Sequence, residues 1–278
     1  MLRHYILWAL RNLQANRFTT AVNLFALSLG MVSFVLACGA ALFLRSTDAE
    51  LPNAGRIFAI TQQALDLQSD FSTGIYPATS TPVAGYLAAD YPEIEAVTRI
   101  RHASMRGVMV AGKAHFLDAL YVDKSFGRIF LLPFRLGDPD HALTRPRSAI
   151  LSEKAAGILF GNQNPLGKIL TVGGLDVTVT GVTGAIAPPS QFVPLPNAFD
   201  VLLSDDIGEA LDPPEPEPLA WQSLMTSTFI LLPPGLPIET IDRKLVSFGD
   251  RHLQKSSTTM LFGTIEVAGF VWTGIGVG

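Results

Sequence analysis

The sequence predicts one membrane-spanning helix followed by a mixed α+β region outside the membrane. Residues 21–44 contain no charged side chain, and about 20 helical residues cross a hydrocarbon core of roughly 30 Å. A single apolar run in lipid must be helical, because lipid offers no partners to its backbone N–H and C=O groups. Beyond this run, short strands and helices follow one another unevenly, which is typical of an α+β domain rather than of a regular doubly wound sheet.

The charges that flank the apolar run indicate its orientation. Three arginines precede it, and no acidic residue lies ahead of Asp48. Basic residues concentrate on the cytoplasmic side of membrane spans. We therefore predict a transmembrane helix over residues 19–45, a cytoplasmic N-terminus and an extracytoplasmic main domain.

Two other interpretations of the apolar run remain open. A cleaved signal peptide has an apolar core of only about 7–15 residues, and this run continues past the small residues at 37–41. A lipoprotein is suggested by Cys38, but Leu36 fits a lipobox poorly and the residues after Cys38 stay apolar. Neither alternative changes the compartment of the remaining chain.

Residues 1–18 predict an amphipathic helix on the cytoplasmic membrane surface. The alternative is a basic flank without a role of its own. The apolar face consists of Leu2, Ile6, Ala9, Leu10 and Leu13.

Small residues within the span follow one stripe of the helix, a pattern that lets a second membrane helix approach closely. The alternative is chance, since membrane helices are rich in alanine and glycine. The stripe consists of Ala26, Gly30, Ser33, Ala37 and Ala41.

Composition limits the possible partners of the outer region. All 24 acidic residues lie after residue 46, with 16 of the 20 basic residues, so this region carries a net charge of −8. An acidic exterior argues against nucleic acid as a partner. Cys38 is the only cysteine, so the outer region has no disulfide, which agrees with a bacterial periplasm without requiring it.

Periodicity and capping residues predict the elements of the outer region. Residues 64–80 are irregular and polar and predict a surface loop. The segment 212–218, DPPEPEP, predicts a second loop. Strands are predicted at 56–62, 95–100, 106–110, 115–122, 148–151, 168–172, 176–182, 199–203 and 227–232, and helices at 81–91, 124–130, 152–160 and from 237 onward.

The segment 161–168, GNQNPLGK, resembles a phosphate-binding loop only at first sight. A Walker A loop needs four residues between its glycines, a preceding strand and a hydroxyl after the lysine. Here five residues separate Gly161 from Gly167, a helix precedes, and Ile169 replaces the hydroxyl. We predict a helix-to-strand turn without nucleotide binding.

The remaining polar residues predict no catalytic or metal site. The five histidines lack a metal-ligand spacing and are interpreted as solvated or capping residues. Glu93 and Glu95 are interpreted as two solvated carboxylates, and Asp123 with Lys124 as a cap and ion pair. The Asp138–His141 loop lacks the ligand run of a calcium site. We therefore predict no enzyme, no catalytic, cofactor-binding or metal-binding residues, and no cofactor.

Five sequence blocks in order, placed directly after the apolar run, resemble the MacB-like periplasmic core domain of FtsX-type permeases in ABC transporters. They lie at 92–100, 121–130, 136–143, 147–168 and 177–182. Residues 10–31 resemble the first span of the same family, and 227–235 resemble a later segment. Together the resemblance covers about residues 1–255.

The resemblance implies a periplasmic domain over residues 46–255 with two subdomains, one of them inserted at about 121–226. It also implies a bacterial inner-membrane location, a second permease subunit as homo- or heterodimer partner, and a cytoplasmic ABC ATPase whose motion the permease relays across the lipid bilayer. Such a permease hydrolyses no ATP itself.

The chain departs from this family after the domain. The family places three further spans there, with the segment that docks on the ATPase between the first two. Residues 256–278 form an apolar, glycine-rich tail with one charge, which is interpreted as an out-of-frame tail, the start of a second span or a final strand. We therefore expect a truncated permease subunit. The alternative function is a single-span, membrane-anchored extracytoplasmic binding or sensor module.

Overall fold

The chain consists of two compact units in a computed structural model. The first holds helix α1 (Arg17–Arg45), and the second is Thr47–Thr273. The structure describes residues 4, 8, 14–45, 48–49, 51–66, 73–76, 78–186, 190, 199–216, 219–221, 224–245, 247–252 and 260–269.

Helix α1 is the predicted long apolar helix, which is thereby confirmed. Its 29 residues span about 43 Å at ~1.5 Å per residue. Large apolar side chains are exposed along it, among them Phe25 at 71% and Phe34 at 69%. Within the described residues it alone has the length and composition of a membrane span. Ser28 satisfies its hydroxyl inside the helix by donating to the Leu24 carbonyl at 2.7 Å.

The predicted surface helix over residues 1–18 is described only in part. His4 and Trp8 are helical and exposed. The Arg17 Nε donates to the Gln14 carbonyl at 3.3 Å. The apolar face itself lies outside the described residues, so the amphipathic helix stays a prediction.

The second unit is built on one sheet, which has eleven strands within the described residues. Helices on its surface are short. The strands are β1 (Ile57–Asp66), β2 (Thr73–Tyr76), β3 (Ala96–Val110), β4 (Lys113–Val122), β5 (Phe134–Gly137), β6 (Ser148–Ser152), β7 (Ile169–Val172), β8 (Leu175–Thr183), β9 (Val201–Ser204), β10 (Thr226–Leu231) and β11 (Met260–Gly269). The helices are α2 (Val83–Asp90), α3 (Phe126–Phe130), α4 (Glu153–Phe160), α5 (Asp205–Leu211), α6 (Ile238–Leu245) and α7 (Phe248–His252).

Six of these strands close into a barrel. The pairs run from β3 to β4, β9, β6, β8 and β7, and β7 pairs again with β3. The pairs β4–β9 and β6–β8 are parallel, and the others are antiparallel. All six strands send side chains into one buried cluster, including Val108, Val179 and Leu203. The mixed α/β class predicted from the sequence is confirmed.

An open sheet extends from the first half of β3 in the order β11-β1-β10-β3. Helices α2, α6 and α7 cover one of its faces, where Leu87, Ile230 and Ile241 are buried together. On the other face the Phe229 ring meets that of Phe130 edge to face, with centroids 5.2 Å apart. Both faces are thus buried, which explains the continuous apolar run at the end of β10.

The sequence predicted two strands, at 95–100 and 106–110, where the structure has the single strand β3. It is one 15-residue strand whose register with β4 shifts between His102 and Met105. Such a bulge bends a strand and adds twist without ending it. The bend lies between the part of β3 that pairs with β10 and the part that pairs with β7.

Two further differences follow from pairing between distant parts of the chain. The predicted loop at 64–80 is wrong, because β1 continues to Asp66 and pairs with β2. Three alternatives were considered for the tail, and residues 260–269 form a strand. This strand, β11, pairs antiparallel with β1 from Asp66↔Met260 to Phe58↔Gly269. The predicted boundaries of the two subdomains stay a prediction.

The aromatic contact between α3 and β10 should be a main source of stability. Phe130 is fully buried, so Phe130→Ala is expected to lower the free energy of unfolding by about 3–5 kcal/mol. Phe116→Ala is the matched control, because Phe116 is 70% exposed, and should change it by less than about 0.5 kcal/mol. Urea unfolding of the full chain in detergent measures both, and equal losses would contradict this assignment of the core.

Candidate functional site

The turn at 161–168 joins helix α4 to strand β7, as predicted. Several of its backbone amides donate within the chain, among them Gly167 N to the Val179 carbonyl at 2.8 Å and Lys168 N to the Pro165 carbonyl at 3.1 Å. The Lys168 ammonium contacts Gln163 and lies 4.9 Å from the centre of the Phe160 ring. A phosphate loop instead turns its amides outward toward the ligand, so the geometry is that of a structural turn.

Among the described residues no group of three metal-ligating side chains is found. The interpretation as solvated or capping residues is wrong for His252. Its side chain is only 16% exposed, and Nε2 lies 2.6 Å from Asp90. Its ring packs between Tyr86, at 4.2 Å, and Phe248, at 4.8 Å between centroids. His252 thus fastens α7 to α2.

The Asp138–His141 loop is held by local hydrogen bonds. Asp138 accepts from the Asp140 amide at 3.0 Å, and its carboxylate lies 2.6 Å from His141 Nδ1. This contact lowers the pKa of Asp138 and raises the pKa of His141. Both side chains are exposed, so the loop is a solvated turn closed by its own ion pair.

Glu93 and Glu95 are not two solvated carboxylates, as interpreted from the sequence. They are only 25% and 26% exposed, and each binds a different partner. Glu93 contacts Lys244 of α6, whose hydrogen bond lowers the pKa of Glu93. Glu95 contacts Arg56 and Arg128. The two carboxylates therefore stabilise separate contacts and do not form a catalytic pair.

The densest charged cluster joins the open sheet to the barrel, and we call Arg99, Arg101, Asp123 and Asp205 the junction network. Arg99 donates to Asp123 from Nε at 3.1 Å and from Nη2 at 2.9 Å, and to Asp205 from Nη2 at 2.8 Å. Arg101 donates to the same Asp205 from Nη2 at 2.7 Å. The ion pair predicted for Asp123 is thus formed with Arg99 rather than with Lys124.

Sheet topology brings the four side chains together. Arg99 and Arg101 are two positions apart on β3, so they share a face of the sheet. Strands β4 and β9 are parallel, with Val122 opposite Ser204. The residues that follow, Asp123 and Asp205, therefore leave the same edge side by side, and each meets an arginine.

The junction network is partly shielded from water. Its side chains are between 11% and 23% exposed. Burial alone lowers the pKa of Arg99, but hydrogen bonding and attraction to Asp123 and Asp205 outweigh it, so the pKa lies above its ordinary value. Every charge is balanced by an opposite one at bonding distance, so the network is suited to hold two parts of the fold together and not to transfer protons.

A cleft of about 510 Å³ lies beside the junction network. Helix α2 contributes Ala84 and Ala88 to its wall, and Arg145, Asp206 and Glu209 contribute charge. This mixture of small apolar and charged groups makes the cleft a surface at which another molecule could bind.

Sequence reasoning missed the junction network because its partners are far apart in the chain. The available signal was Arg99 in the predicted strand 95–100, with Arg101 two positions further on and just beyond its predicted end. Two like charges on one packed face require an acidic partner. Asp205 could not be chosen as that partner, because α5 was not predicted and the pairing of β4 with β9 is not readable from either strand.

A family model described as the MacB-like periplasmic core domain matches residues 20–247, most of the chain. The chain belongs to this family. The match begins inside α1 and includes the barrel, the junction network and, apart from β11, the open sheet.

Solved structures share the fold of this MacB-like domain. A domain of a protein assigned as a permease, from Porphyromonas gingivalis, is 19% identical with a TM-score of 0.63, covering 79% of this chain and 92% of that one. The periplasmic region of MacB from Actinobacillus actinomycetemcomitans is 14% identical with a TM-score of 0.52, covering 76% of this chain and 89% of that one. No curated protein matches the chain.

Removing Asp205 should destabilise the MacB-like domain, because it leaves Arg99 and Arg101 facing each other with one carboxylate fewer. Asp205→Ala is expected to lower the free energy of unfolding by about 3–5 kcal/mol. Asp176→Ala, on the exposed β7–β8 hairpin, is the control and should have little effect. Urea unfolding of the full chain is the measurement, and equal effects of the two changes would show that the network adds no stability.

Proposed function

We propose that the chain is a permease subunit of an ABC transporter, of the FtsX type, that relays motion from a separate cytoplasmic ATPase to its periplasmic domain. The family match carries this proposal, because a MacB-like periplasmic core domain follows directly on an apolar helix of spanning length. The chain itself acts without catalysis in this role.

Charge and surface support the membrane arrangement. The arginines before α1 favour a cytoplasmic N-terminus, with the unit Thr47–Thr273 in the periplasm of a bacterial inner membrane. The small-residue stripe of α1 suits close contact with another membrane helix, and a second permease subunit, identical or not, is the partner that we propose for it.

A relay requires an outer domain that keeps its shape under load. The closed barrel has no free edge over its six strands, and the junction network ties it to the open sheet through charge-assisted hydrogen bonds. The domain is therefore suited to move as one body when the span moves. The truncation expected from the resemblance stays a prediction, which the coding sequence after Gly278 tests.

One observation favours the alternative of a single-span binding or sensor module. The 510 Å³ cleft lies within the size range of small-molecule sites. A sensor of this kind would work without an ATPase, so the two functions differ in the proteins that purify with the chain.

Chemical labelling should report the proposed orientation. Cys38 lies in α1, so cysteines introduced elsewhere can be labelled against a low background. A membrane-impermeant maleimide is expected to label Lys113→Cys, on the exposed β3–β4 turn, in intact spheroplasts. It should label His4→Cys only after permeabilisation. The reverse pattern would contradict a periplasmic main domain.

Purification should report the partner. We expect an affinity tag inserted at the native gene, so that anything encoded after Gly278 is also expressed, to recover an ABC ATPase from detergent-solubilised membranes. Recovery should fall when the stripe residues Gly30 and Ala37 are both changed to isoleucine, if α1 packs against a partner span. A chain that always purifies without an ATPase would favour the sensor alternative.

A further inference from the structure

A second cavity, of about 290 Å³, lies beside the bulge of β3, where His102 and Ala103 line it. Arg101, Arg106 and Tyr121 form its polar wall, and we call these three residues the anion wall. The rest of the lining is mixed. Its apolar part is Ala103, Pro213, Pro214, Ala220 and Met225, and its polar part is Thr81, His102, Asp212 and Glu215. Apolar side chains beside converging polar groups are common in small ligand sites.

The three side chains of the anion wall are fixed relative to one another. The guanidinium carbons of Arg101 and Arg106 lie 5.3 and 5.8 Å from the centre of the Tyr121 ring. Cation–π contacts of this kind help to hold both arginines, and Arg101 is held in addition by hydrogen bonds from Nε and Nη2 to Asp205. Burial raises the pKa of Tyr121, so its hydroxyl remains a donor. The wall therefore presents aligned donors to an anion.

A carboxylate from the same chain occupies the anion wall. Asp212, the first residue of the proline-rich segment, accepts from Arg106 Nη2 and, with the same oxygen, from the Tyr121 hydroxyl at 2.8 Å. Its backbone carbonyl accepts from Arg101 at 3.1 Å. The Asp212 side chain is 42% exposed, and residues 213–216 after it are exposed.

The fit of Asp212 to the wall is incomplete. Arg106 Nε is buried and has no hydrogen-bond partner among the described residues. A carboxylate that meets a guanidinium side-on bonds Nε and Nη2 together, which is the stronger arrangement. An unpaired buried donor is unfavourable by about 1–3 kcal/mol. A carboxylate with a free choice of approach could therefore satisfy the wall better than Asp212 does.

We propose that the anion wall and the cavity beside it, with its apolar side chains Ala220 and Met225, form a binding site for an organic carboxylate, which Asp212 fills from within the chain. The ligand is a free carboxylate attached to a small apolar group, as in the C-terminus of a peptide or a short branched acid. Binding moves the Asp212 side chain into solvent and leaves the barrel in place. This site is independent of any ATPase, so it stands or falls separately from the transport role.

Calorimetric titration of the full chain in dodecyl maltoside tests the site. The probe is the N-acetylated tripeptide Ala-Ala-Leu, with its C-terminal amide as the uncharged counterpart. Asp212→Ser removes the internal competitor and is expected to tighten binding of the free acid at least about tenfold. Asp176→Ser, a loss of the same charge on the β7–β8 hairpin, is the matched control and should leave the affinity unchanged.

A substitution of Arg106 tests whether the ligand carboxylate binds Nε and Nη2 together. Lysine keeps the charge of Arg106 but lacks its planar fork, so Arg106→Lys in the Asp212→Ser chain should weaken binding at least about tenfold. If Asp212→Ser does not fold, Asp212→Asn preserves the size of the side chain and should tighten binding in the same direction.

The affinities of two probes distinguish a peptide C-terminus from a small organic acid as the ligand. A tripeptide that binds at least about tenfold more tightly than 4-methylpentanoate indicates a peptide C-terminus, and equal affinities indicate a small organic acid. The proposal is overturned if the amide binds as well as the acid, if loss of the Asp212 carboxylate leaves the affinity unchanged, or if neither probe binds to the Asp212 variants.

Discussion

Backbone pairing along both edges of β3 holds the outer unit together. One edge pairs with β4 over most of the strand, while the other pairs first with β10 and then, after the bulge between His102 and Met105, with β7. The open sheet and the barrel are therefore parts of one hydrogen-bonded ladder. A strand that ended at the bulge would leave β7 without its partner on that side, and the barrel would be open with a free edge.

The charged residues of β3 follow from this shared position. Near the bulge β3 passes from one buried cluster to another, and its side chains Arg99, Arg101 and Arg106 are half-buried there. Arginine is suited to such a place, since its stem packs against apolar neighbours while its planar head binds carboxylates in two directions. Arg99, Arg101 and Arg106 thus connect β3 to Asp123, Asp205 and Asp212 on other elements.

Local sequence patterns were sufficient to predict helix caps and tight turns. The cap at Ser152, which accepts from the Ala155 amide at 3.1 Å, and the turn after α4 were predicted from the sequence. The barrel was not, because closure depends on β7 meeting β3 and on parallel pairing of β4 with β9. Neither pairing can be predicted from the residues of a single strand. The anion wall was missed for the same reason, since Asp212 was interpreted only as part of a polar loop.

The position of β1 in the open sheet has a consequence for how the chain is made. Its neighbour β10 comes late in the sequence, and the Arg56 side chain bonds a carbonyl, that of Leu232, which lies 176 residues further on. Long-range contacts of this kind slow folding. During synthesis the barrel strands β3 to β9 emerge before β10 arrives, so the edge of β1 that pairs with β10 stays unpaired until then. Aggregation during that interval, rather than weakness of the finished domain, would then limit how much protein a cell accumulates.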